Sequence, residues 1–323
     1  MPRMDDERVS VVIPSWNGKE LLAECLKSLN MQTYRSYGVT VVDDGSSDDT
    51  DAMLRWHFPE VRRIRFKENR GFCVAVNEGI RQTDGDLILL INNDVTVAPH
   101  FISRLVEAAE TSNAAMFAPL ILWRDSPTIV YAAGDLQRAG GRPESAGFRV
   151  PLDGFRFPQT IFGVTAAAAL YRRTLFDAVG LFDPVFGAYF SDSDLCFRAR
   201  LAGFDARFVR EAIAYHVGSA SLGSSTLKRT RECYVNHALL IAKDMPAPLI
   251  ARHFPAIAWE RLHQARRLFS ATRNDHGAVG AVRSLAAAWL DLIRKLPHAL
   301  RERRKIQRAR KIPLRRLEKM LVK

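Results

Sequence analysis

The sequence of 323 residues contains only four cysteines, and no two of them form a C-x-x-C pair. Long hydrophobic runs are also missing: the longest, residues 161–171, is too short to span a bilayer as a helix. Residues 1–8 are charged and lack the apolar segment of a secretory signal. We therefore expect a cytoplasmic protein whose thiols are free and buried among apolar neighbours, namely Cys25, Cys73, Cys196 and Cys233.

Two common phosphate-binding motifs are absent as well. No G-x-G-x-x-G follows the first predicted strand, and no G-x-x-x-x-G-K-[ST] occurs anywhere. A nucleotide would therefore be held by carboxylates and amides.

The net charge of +12 is unevenly distributed along the chain. Residues 295–323 carry twelve Lys and Arg against two Glu and supply +10 of this charge. The main domain is thus close to neutral, which argues against a nucleic-acid groove across it.

The first hundred residues alternate β-branched runs with segments of helical spacing. Strands are predicted over residues 9–13, 39–42, 61–66 and 87–91, and helices over residues 19–30, 48–57 and 72–82. This βαβαβαβ order predicts a mostly parallel sheet covered by helices on both faces.

The pattern becomes mixed after about residue 112. Strands are predicted over residues 114–122, 129–132 and 206–209, and helices over residues 174–179, 193–202 and most of the chain beyond Thr226. Residues 133–159 are rich in Gly, Pro and Arg, which predicts a long functional loop or flap. No internal repeat is found.

Polar residues follow the predicted strands at their carboxyl ends, where ligands bind in open α/β sheets. Asn92-Asn93-Asp94 follows the fourth strand, and a carboxylate there suits Mg²⁺ or Mn²⁺ bound with a diphosphate. Asp43 and Asp44 follow the second strand and suit hydrogen bonds to a base and a ribose. Each motif alone is equally typical of a turn, because Asn and Asp favour turns.

Two further residues carry possible chemistry in the second half of the chain. Asp192 opens a helical segment, where it suits either a helix N-terminus or a base that activates a hydroxyl. His216 follows a predicted strand and suits either a structural role or a ligand role.

The ordered set of these motifs resembles family 2 glycosyltransferases of the GT-A fold, in particular the rhamnosyltransferase-like branch. The resemblance implies an α/β domain with a Rossmann-like mixed sheet and helices on both faces of it. The resemblance covers about residues 9–243. It rests on short segments in a fixed order, at residues 11–18, 41–46, 69–72, 77–79, 89–95, 168–173, 179–183, 192–196 and 215–216.

The resemblance implies a role for each matched position. Asp94 would bind the divalent metal that bridges the diphosphate, His216 would help to hold the metal or the diphosphate, and Asp192 would be the general base of an inverting displacement. Nucleotide-sugar binding is expected at Pro14, Ser15, Trp16, Asn17, Asp43, Asp44, Asn69, Arg70, Gly71, Asn77, Asn92 and Asn93.

The chain departs from the family pattern at two positions. Asn92 replaces the first acid of the Asp-x-Asp motif, so that Asp94 is its only carboxylate. Ser191 stands where relatives usually carry Glu, which puts acceptor choice or rate in doubt. Asp194 is the second candidate for the base. The Gln-x-x-Arg-Trp motif of processive synthases is absent, which favours transfer of a single sugar.

The resemblance also implies partners. The donor is expected to be dTDP-rhamnose or a UDP-hexose, and the acceptor a glycan or a polyprenyl-linked glycan in cell-surface polysaccharide synthesis. A protein that binds nucleotide sugars without catalysis is the alternative, and a nucleic-acid binder is a weaker one. The sequence does not predict an oligomeric state.

The expected division is a GT-A domain over residues 1–245, with a nucleotide-sugar half (1–112) and an acceptor half (113–245), followed by a helical extension over residues 246–323. The extension ends in a basic tail at residues 295–323. The tail contains three leucines at helical spacing, Leu314, Leu317 and Leu321. We therefore expect the tail to bind an anionic membrane surface and the protein to be peripheral on that membrane. A solvated terminus and an RNA-binding tail are the alternatives.

Overall fold

The computed structural model of the chain describes residues 8–218 and 226–322. The strands are β1 (Val9–Ser15), β2 (Tyr37–Asp43), β3 (Arg62–Arg65), β4 (Leu87–Ile91), β5 (Val95–Val97), β6 (Met116–Trp123), β7 (Ser126–Ala132), β8 (Asp135–Arg138), β9 (Pro143–Ser145), β10 (Ala168–Arg172), β11 (Ala206–His216) and β12 (Leu321–Val322). The helices are α1 (Lys19–Asn30), α2 (Thr50–His57), α3 (Phe72–Arg81), α4 (Phe101–Glu110), α5 (Arg173–Val179), α6 (Ser191–Leu201), α7 (Thr226–Asp244), α8 (Ala247–Arg252), α9 (Phe254–Arg308) and α10 (Leu314–Lys319).

One large mixed sheet organises the main domain. Its strand order is β3-β2-β1-β4-β10-β6-β11-β5, with β7 added to β6. The amino-terminal strands β3, β2, β1 and β4 pair in parallel, whereas β10 is antiparallel to both β4 and β6. The predicted α/β class with a mixed sheet is confirmed.

Strand β4 shows why the sheet is covered on both faces. Leu87, Leu89 and Ile91 point into the core beneath α1 and α4, whereas Ile88 and Leu90 point into the core beneath α3 and α6. All five are buried. A strand buried on both faces is apolar throughout, which is why β4 appears in the sequence as an unbroken run.

The prediction of a loop over residues 133–159 is wrong in part. β8 and β9 form an antiparallel hairpin there, and β12 pairs in parallel with β8 at Leu321 and Gln137. Gly141 has a φ of 90° in the connecting turn, so the glycines that suggested a loop make a tight turn. The third strand comes from the far end of the chain, which local sequence does not reveal.

Two of the predicted boundaries that move affect candidate site residues. α6 begins at Ser191, so Asp192 lies in its first turn. β11 does not end at Val209 as predicted but continues to His216, and its register with β6 shifts between Val209 and Ile213.

The predicted helical extension is present and packs against the main domain. α9 is interrupted at Gly277, which has a φ of 68°. Its two halves run in opposite directions along α7: Arg261 of the first half donates to the Tyr234 carbonyl oxygen, and Asp291 of the second half pairs with Arg231. The boundary near residue 245 stays a prediction.

The apolar face predicted for the tail is not available to a membrane. Leu317 and Leu321 are buried together with Phe197 and Leu201 of α6, and Leu314 packs against the same cluster. These leucines lie on one face because of their helical spacing, but the face is covered by the protein's own domain. In the described part of the chain, no helix combines the length and the apolar character needed to cross a bilayer.

Candidate active site

The carboxyl ends of β1, β2 and β4 open into a single cleft. β1 lies between β2 and β4, and its last residue, Ser15, is in register with Asp43. The cleft has a volume of about 780 Å³. It receives eleven of the predicted site residues, namely Pro14, Ser15, Trp16, Asp44, Asn69, Gly71, Asn92, Asn93, Asp94, Asp192 and His216.

Asp94 and His216 meet in this cleft although 122 residues separate them in the sequence. The Asp94 Oδ1 atom lies 3.0 Å from the His216 Nε2 atom, and both side chains are almost fully buried. Antiparallel pairing of β5 with β11 places His216 opposite Val95 and so brings the histidine to Asp94. Pairing within the sheet therefore brings together the two residues that were predicted to hold a metal ion.

Tyr131 of β7 packs against the histidine from one side. The two ring centroids lie 4.4 Å apart with an interplanar angle of 77°. Burial is the main cause that raises the pKa of Tyr131, and the nearby charge of Asp94 adds to it. The uncharged ring of Tyr131 thus restricts the orientation of the imidazole by packing against it.

Asn93 connects the turn at residues 92–94 to the end of β1. Its side-chain amide donates to the Ser15 hydroxyl over 3.1 Å. A Cβ atom at Gly18 would lie 2.4 Å from the Asn93 Nδ2 atom, so only glycine at this position leaves the amide in place. Asn92 lies on the other side of the turn, where its backbone N–H donates to the Ala167 carbonyl oxygen.

Asp44 holds a neighbouring loop of the cleft through the backbone of that loop. Its two carboxylate oxygens accept the backbone N–H groups of Arg70 and Gly71 at 2.6 and 2.9 Å. Burial raises the pKa of Asp44 against these hydrogen bonds. Two of its lone pairs are thus engaged by the loop that carries Asn69.

Four predicted residues lie outside the cleft lining. Asp43 accepts the Ser46 N–H and lies 3.3 Å from Arg65, and the Asn17 side chain accepts the Ser47 N–H. The Arg70 guanidinium stacks over Phe66. The Asn77 side chain exchanges two hydrogen bonds with the Phe182 backbone. These contacts support the cleft walls, and direct binding of the donor by the four residues stays a prediction.

Asp192 projects into the cleft from the first turn of α6. Its carboxylate accepts the Ser193 N–H at 2.8 Å and the Ala166 N–H at 3.2 Å. Burial outweighs these hydrogen bonds and raises the pKa of Asp192. A held carboxylate with a raised pKa accepts a proton more readily than an ordinary aspartate.

Asp194, the second candidate for the base, is fully buried and points away from the cleft. Its carboxylate is bound by the Arg198 guanidinium at 2.7 and 2.9 Å and by the Lys243 ammonium. Burial alone would raise its pKa, but these two cations outweigh it and the pKa is lowered. Asp194 thus anchors α6 to α7, and Asp192 is the one that faces the cleft.

Asp135, at the start of β8, was not among the site residues predicted from the sequence, and it adds a carboxylate to the cleft near Asp192. It lines the cleft and accepts the Ser145 hydroxyl at 2.7 Å. Burial and then the charge of Asp192 raise its pKa to about 7. The segment had been predicted as a loop, so nothing in the local sequence pointed to this residue.

The donor set of the cleft fits a divalent cation only in part. Within residues 8–218 and 226–322, no three His, Cys, Asp or Glu side chains cluster closely enough to hold a metal ion. Asp94 and His216 offer one carboxylate and one imidazole. The other coordination positions would have to come from a bound ligand, as diphosphate oxygens commonly provide for Mg²⁺.

Known proteins resemble this chain in sequence and in structure. The family model described as "Glycosyl transferase family 2" matches residues 10–180. The uncharacterised glycosyltransferase YfnE of Bacillus subtilis is 25% identical over 65% of this chain and 64% of its own length. The O-antigen biosynthesis protein RfbC of Myxococcus xanthus is 25% identical over 66% of this chain and 18% of its own length. The chain thus corresponds to only part of these relatives.

Among solved structures, the mannosyltransferase PcManGT of Pyrobaculum calidifontis, in complex with GDP-Man and Mn²⁺, superposes with a TM-score of 0.57. The match covers 94% of this chain and 85% of that one at 18% identity, which shows a shared fold alone. The family match covers more than half of the residues. It includes the carboxyl ends of β1, β2 and β4 and the turn that carries Asp94. The chain belongs to glycosyltransferase family 2 and has the GT-A fold.

Proposed function

We propose that the protein is an inverting, non-processive glycosyltransferase that moves a sugar from a nucleotide-diphosphate sugar to a hydroxyl of a glycan or lipid-linked acceptor. The observation that carries the proposal is the convergence of the Asp94–His216 pair and the Asp192 carboxylate on one cleft. The family membership and the name of RfbC support a role in polysaccharide synthesis.

On the donor side, the chain supplies a rigid frame for a nucleotide diphosphate. The Ser15–Asn93 contact and the loop held by Asp44 border the part of the cleft next to the parallel strands. Asp94 and His216 would hold a divalent cation. When bound, such a cation stabilises the negative charge that develops on the departing diphosphate.

On the acceptor side, Asp192 takes the proton of the acceptor hydroxyl. The freed oxygen forms a bond to the anomeric carbon while the bond from that carbon to the diphosphate oxygen breaks. Attack from the face opposite the leaving group inverts the anomeric configuration. The N–H groups of Ala166 and Ser193 hold the Asp192 carboxylate in place for this transfer.

The donor sugar and the base are further parts of the proposal. The rhamnosyltransferase-like branch suggests dTDP-rhamnose, a UDP-hexose is the second candidate, and PcManGT was solved with GDP-Man. A thermal-shift screen of these nucleotide sugars, each with Mg²⁺ or Mn²⁺, separates them, because a ligand that binds only the native state raises the melting temperature.

Asp192→Asn is the direct test of the proposed base. We expect it to lower turnover of the screened donor by about 10²- to 10⁴-fold, the range of general base catalysis, while the thermal shift with donor and metal persists. Release of the nucleoside diphosphate measures turnover. Asp177→Asn, at an exposed position of α5, is the matched control and should keep wild-type activity.

Two results would count against the proposal. Full turnover in Asp192→Asn would remove Asp192 as the base. Binding of donor and metal without turnover in the wild type, with any acceptor, would favour the non-catalytic binding protein, an alternative motivated by Asn92 and Ser191.

A further inference from the structure

The second half of α9, residues 278–308, exposes a row of large apolar side chains. Trp289 is 52% exposed, Leu290 54%, Ile293 60%, and Val279 and Val282 are exposed at least as much. Large exposed apolar patches on a soluble protein mark sites of interaction. This face therefore calls for a partner.

The row is one continuous face of the helix. The exposed apolar positions are spaced three or four residues apart or adjacent, which places them within about 100° of the helix circumference at 100° per residue. They are Val279, Val282, Ala286, Trp289, Leu290, Ile293, Pro297 and Leu300. The opposite side of the helix carries Ala288, Leu292 and Ala299, which are buried with residues of α7. The helix is thus apolar on two sides, and the residues that the structure describes cover only one of them.

The charges on the exposed side are all of one sign. Arginines lie beside the apolar row at positions 283, 294, 301 and 304, and each is exposed. Between residues 278 and 304, where the structure describes every side chain, the two acids are half-buried. Asp291 pairs with Arg231 and lies 3.9 Å from Arg294, and Glu302 pairs with Lys305. The face is therefore apolar and cationic.

We propose that this face of α9 docks on the surface of an anionic lipid bilayer. A helix that joins Trp and aliphatic residues to Arg on one face lies in the plane of the membrane interface, with the aromatic ring at the headgroups and the guanidinium groups on lipid phosphates. Anionic headgroups complement the arginines, and each basic group near such a surface favours binding.

A second copy of the chain is a poorer occupant of the same face. A two-fold interface brings the same patch of both copies together, so that the arginines of one copy would face those of the other. Like charges across an interface oppose association, whereas lipid phosphates neutralise them.

The first half of α9 adds a similar exposed set. Trp259 and Leu262 are exposed, and Arg266 follows them at helical spacing. Docking by α9 takes the place of the predicted docking of the tail at residues 314–321, whose apolar side chains are buried in the domain. It concerns a surface separate from the cleft and does not depend on the chemistry of the donor.

Vesicle flotation of the full chain tests the proposal in the absence of any nucleotide sugar. We expect the wild type to float with vesicles of phosphatidylcholine and phosphatidylglycerol, and much less with pure phosphatidylcholine. The double variant Trp289→Ser, Ile293→Ser should bind roughly tenfold more weakly, since it removes the largest apolar area. Arg283→Glu with Arg301→Glu should also weaken binding, and added salt should weaken the wild type.

Two matched controls separate this face from the rest of the surface. Trp56→Ser removes a tryptophan that is 81% exposed on α2, and it should leave flotation unchanged. Arg315→Glu with Lys319→Glu reverses charge in the tail and should have a smaller effect than the α9 charge variant. Melting curves for all variants establish that they fold.

Three outcomes would overturn the proposal: no flotation of the folded wild type with anionic vesicles, an equal loss with Trp56→Ser, or a greater loss with the tail variant. A wild-type dimer that the Trp289→Ser, Ile293→Ser variant converts to a monomer, as measured by light scattering, would assign the face to self-association instead.

Discussion

At the scale of single residues, the two carboxylates Asp135 and Asp192 set the expected response to pH. Burial and the charge of Asp192 raise the pKa of Asp135 to about 7, and burial raises the pKa of Asp192. Protonation removes a general base, so turnover should fall as the pH drops through the raised pKa of Asp192. The acidic limb of kcat/KM should therefore lie above the ordinary aspartate value of about 3.9.

Asp135→Asn should leave that acidic limb in place. The charge of Asp192 helps to raise the pKa of Asp135 to about 7, so Asp192 is still ionised while Asp135 titrates, and Asp135 is already protonated and neutral when Asp192 takes up its proton. A pH profile of donor turnover measures the position of the limb. Glu144→Gln is the matched control, because Glu144 also lines the cleft but pairs with Arg138, which lowers its pKa. A limb that moves to lower pH in Asp135→Asn would show that Asp135 is still ionised when Asp192 is protonated.

The sequence predicted Asp94, His216 and Asp192 as candidate site residues but did not reveal how each side chain is held. Asp192 and Asp194 are two residues apart and were both candidates for the base. The structure separates them by direction: Asp192 faces the cleft, and Asp194 binds Arg198 and Lys243. Lys243 lies 49 residues away from Asp194, and only tertiary packing brings it there.

At the scale of elements, the buried charges of Lys243, Asp183 and Asp194 join α6 and α7. Lys243 is 2% exposed and binds both carboxylates. Removing one partner of a buried ion pair leaves an uncompensated charge and costs about 3 kcal/mol or more. Urea unfolding of Lys243→Met should show a loss of that size.

The matched control for Lys243→Met is Arg104→Met, which breaks the exposed pair of Arg104 with Glu107 on α4. Exposed pairs contribute about 0–1 kcal/mol, so the control should remain close to the wild type. Equal effects of the two variants would mean that the Lys243 cluster does not hold the helices together.

The element predictions that held were those with a local cause. Strand β4 and helix α1 follow from hydrophobic spacing, and their bounds agree with the structure at residues 87–91 and 19–30. The β8–β9 hairpin was missed because it is completed by β12, from residues 321–322. A short strand whose partner lies almost two hundred residues away leaves no periodic signal.

At the scale of the whole molecule, the carboxyl-terminal tail is part of the domain. Ile312, Leu317 and Leu321 are buried with Phe197, and the Lys311 N–H donates to the Leu201 carbonyl oxygen. Removal of residues 311–323 should therefore lower the free energy of unfolding by more than about 3 kcal/mol, since each buried aliphatic side chain contributes roughly 1.5–3 kcal/mol.

A charge variant distinguishes this packing role from a solvated tail. Arg315→Gln with Lys319→Gln keeps the apolar residues and removes two exposed charges, so its stability should stay within about 0.5 kcal/mol of the wild type. Urea unfolding measures the stability of the chain that lacks residues 311–323 and of the Arg315→Gln, Lys319→Gln variant. A truncated chain as stable as this variant would show that the tail contributes little to the fold.

The sequence by itself determined the α/β class, the strand-end positions of the polar motifs and the family, because these depend on local spacing and on residue types in a fixed order. The tertiary structure decided which of those residues share a cleft, that Asp135 joins Asp192, and that the leucines of the tail are buried. These outcomes depend on contacts between distant segments. Local periodicity shows that a face is apolar, but not what covers it, and that difference left the exposed face of α9 to be found in the structure.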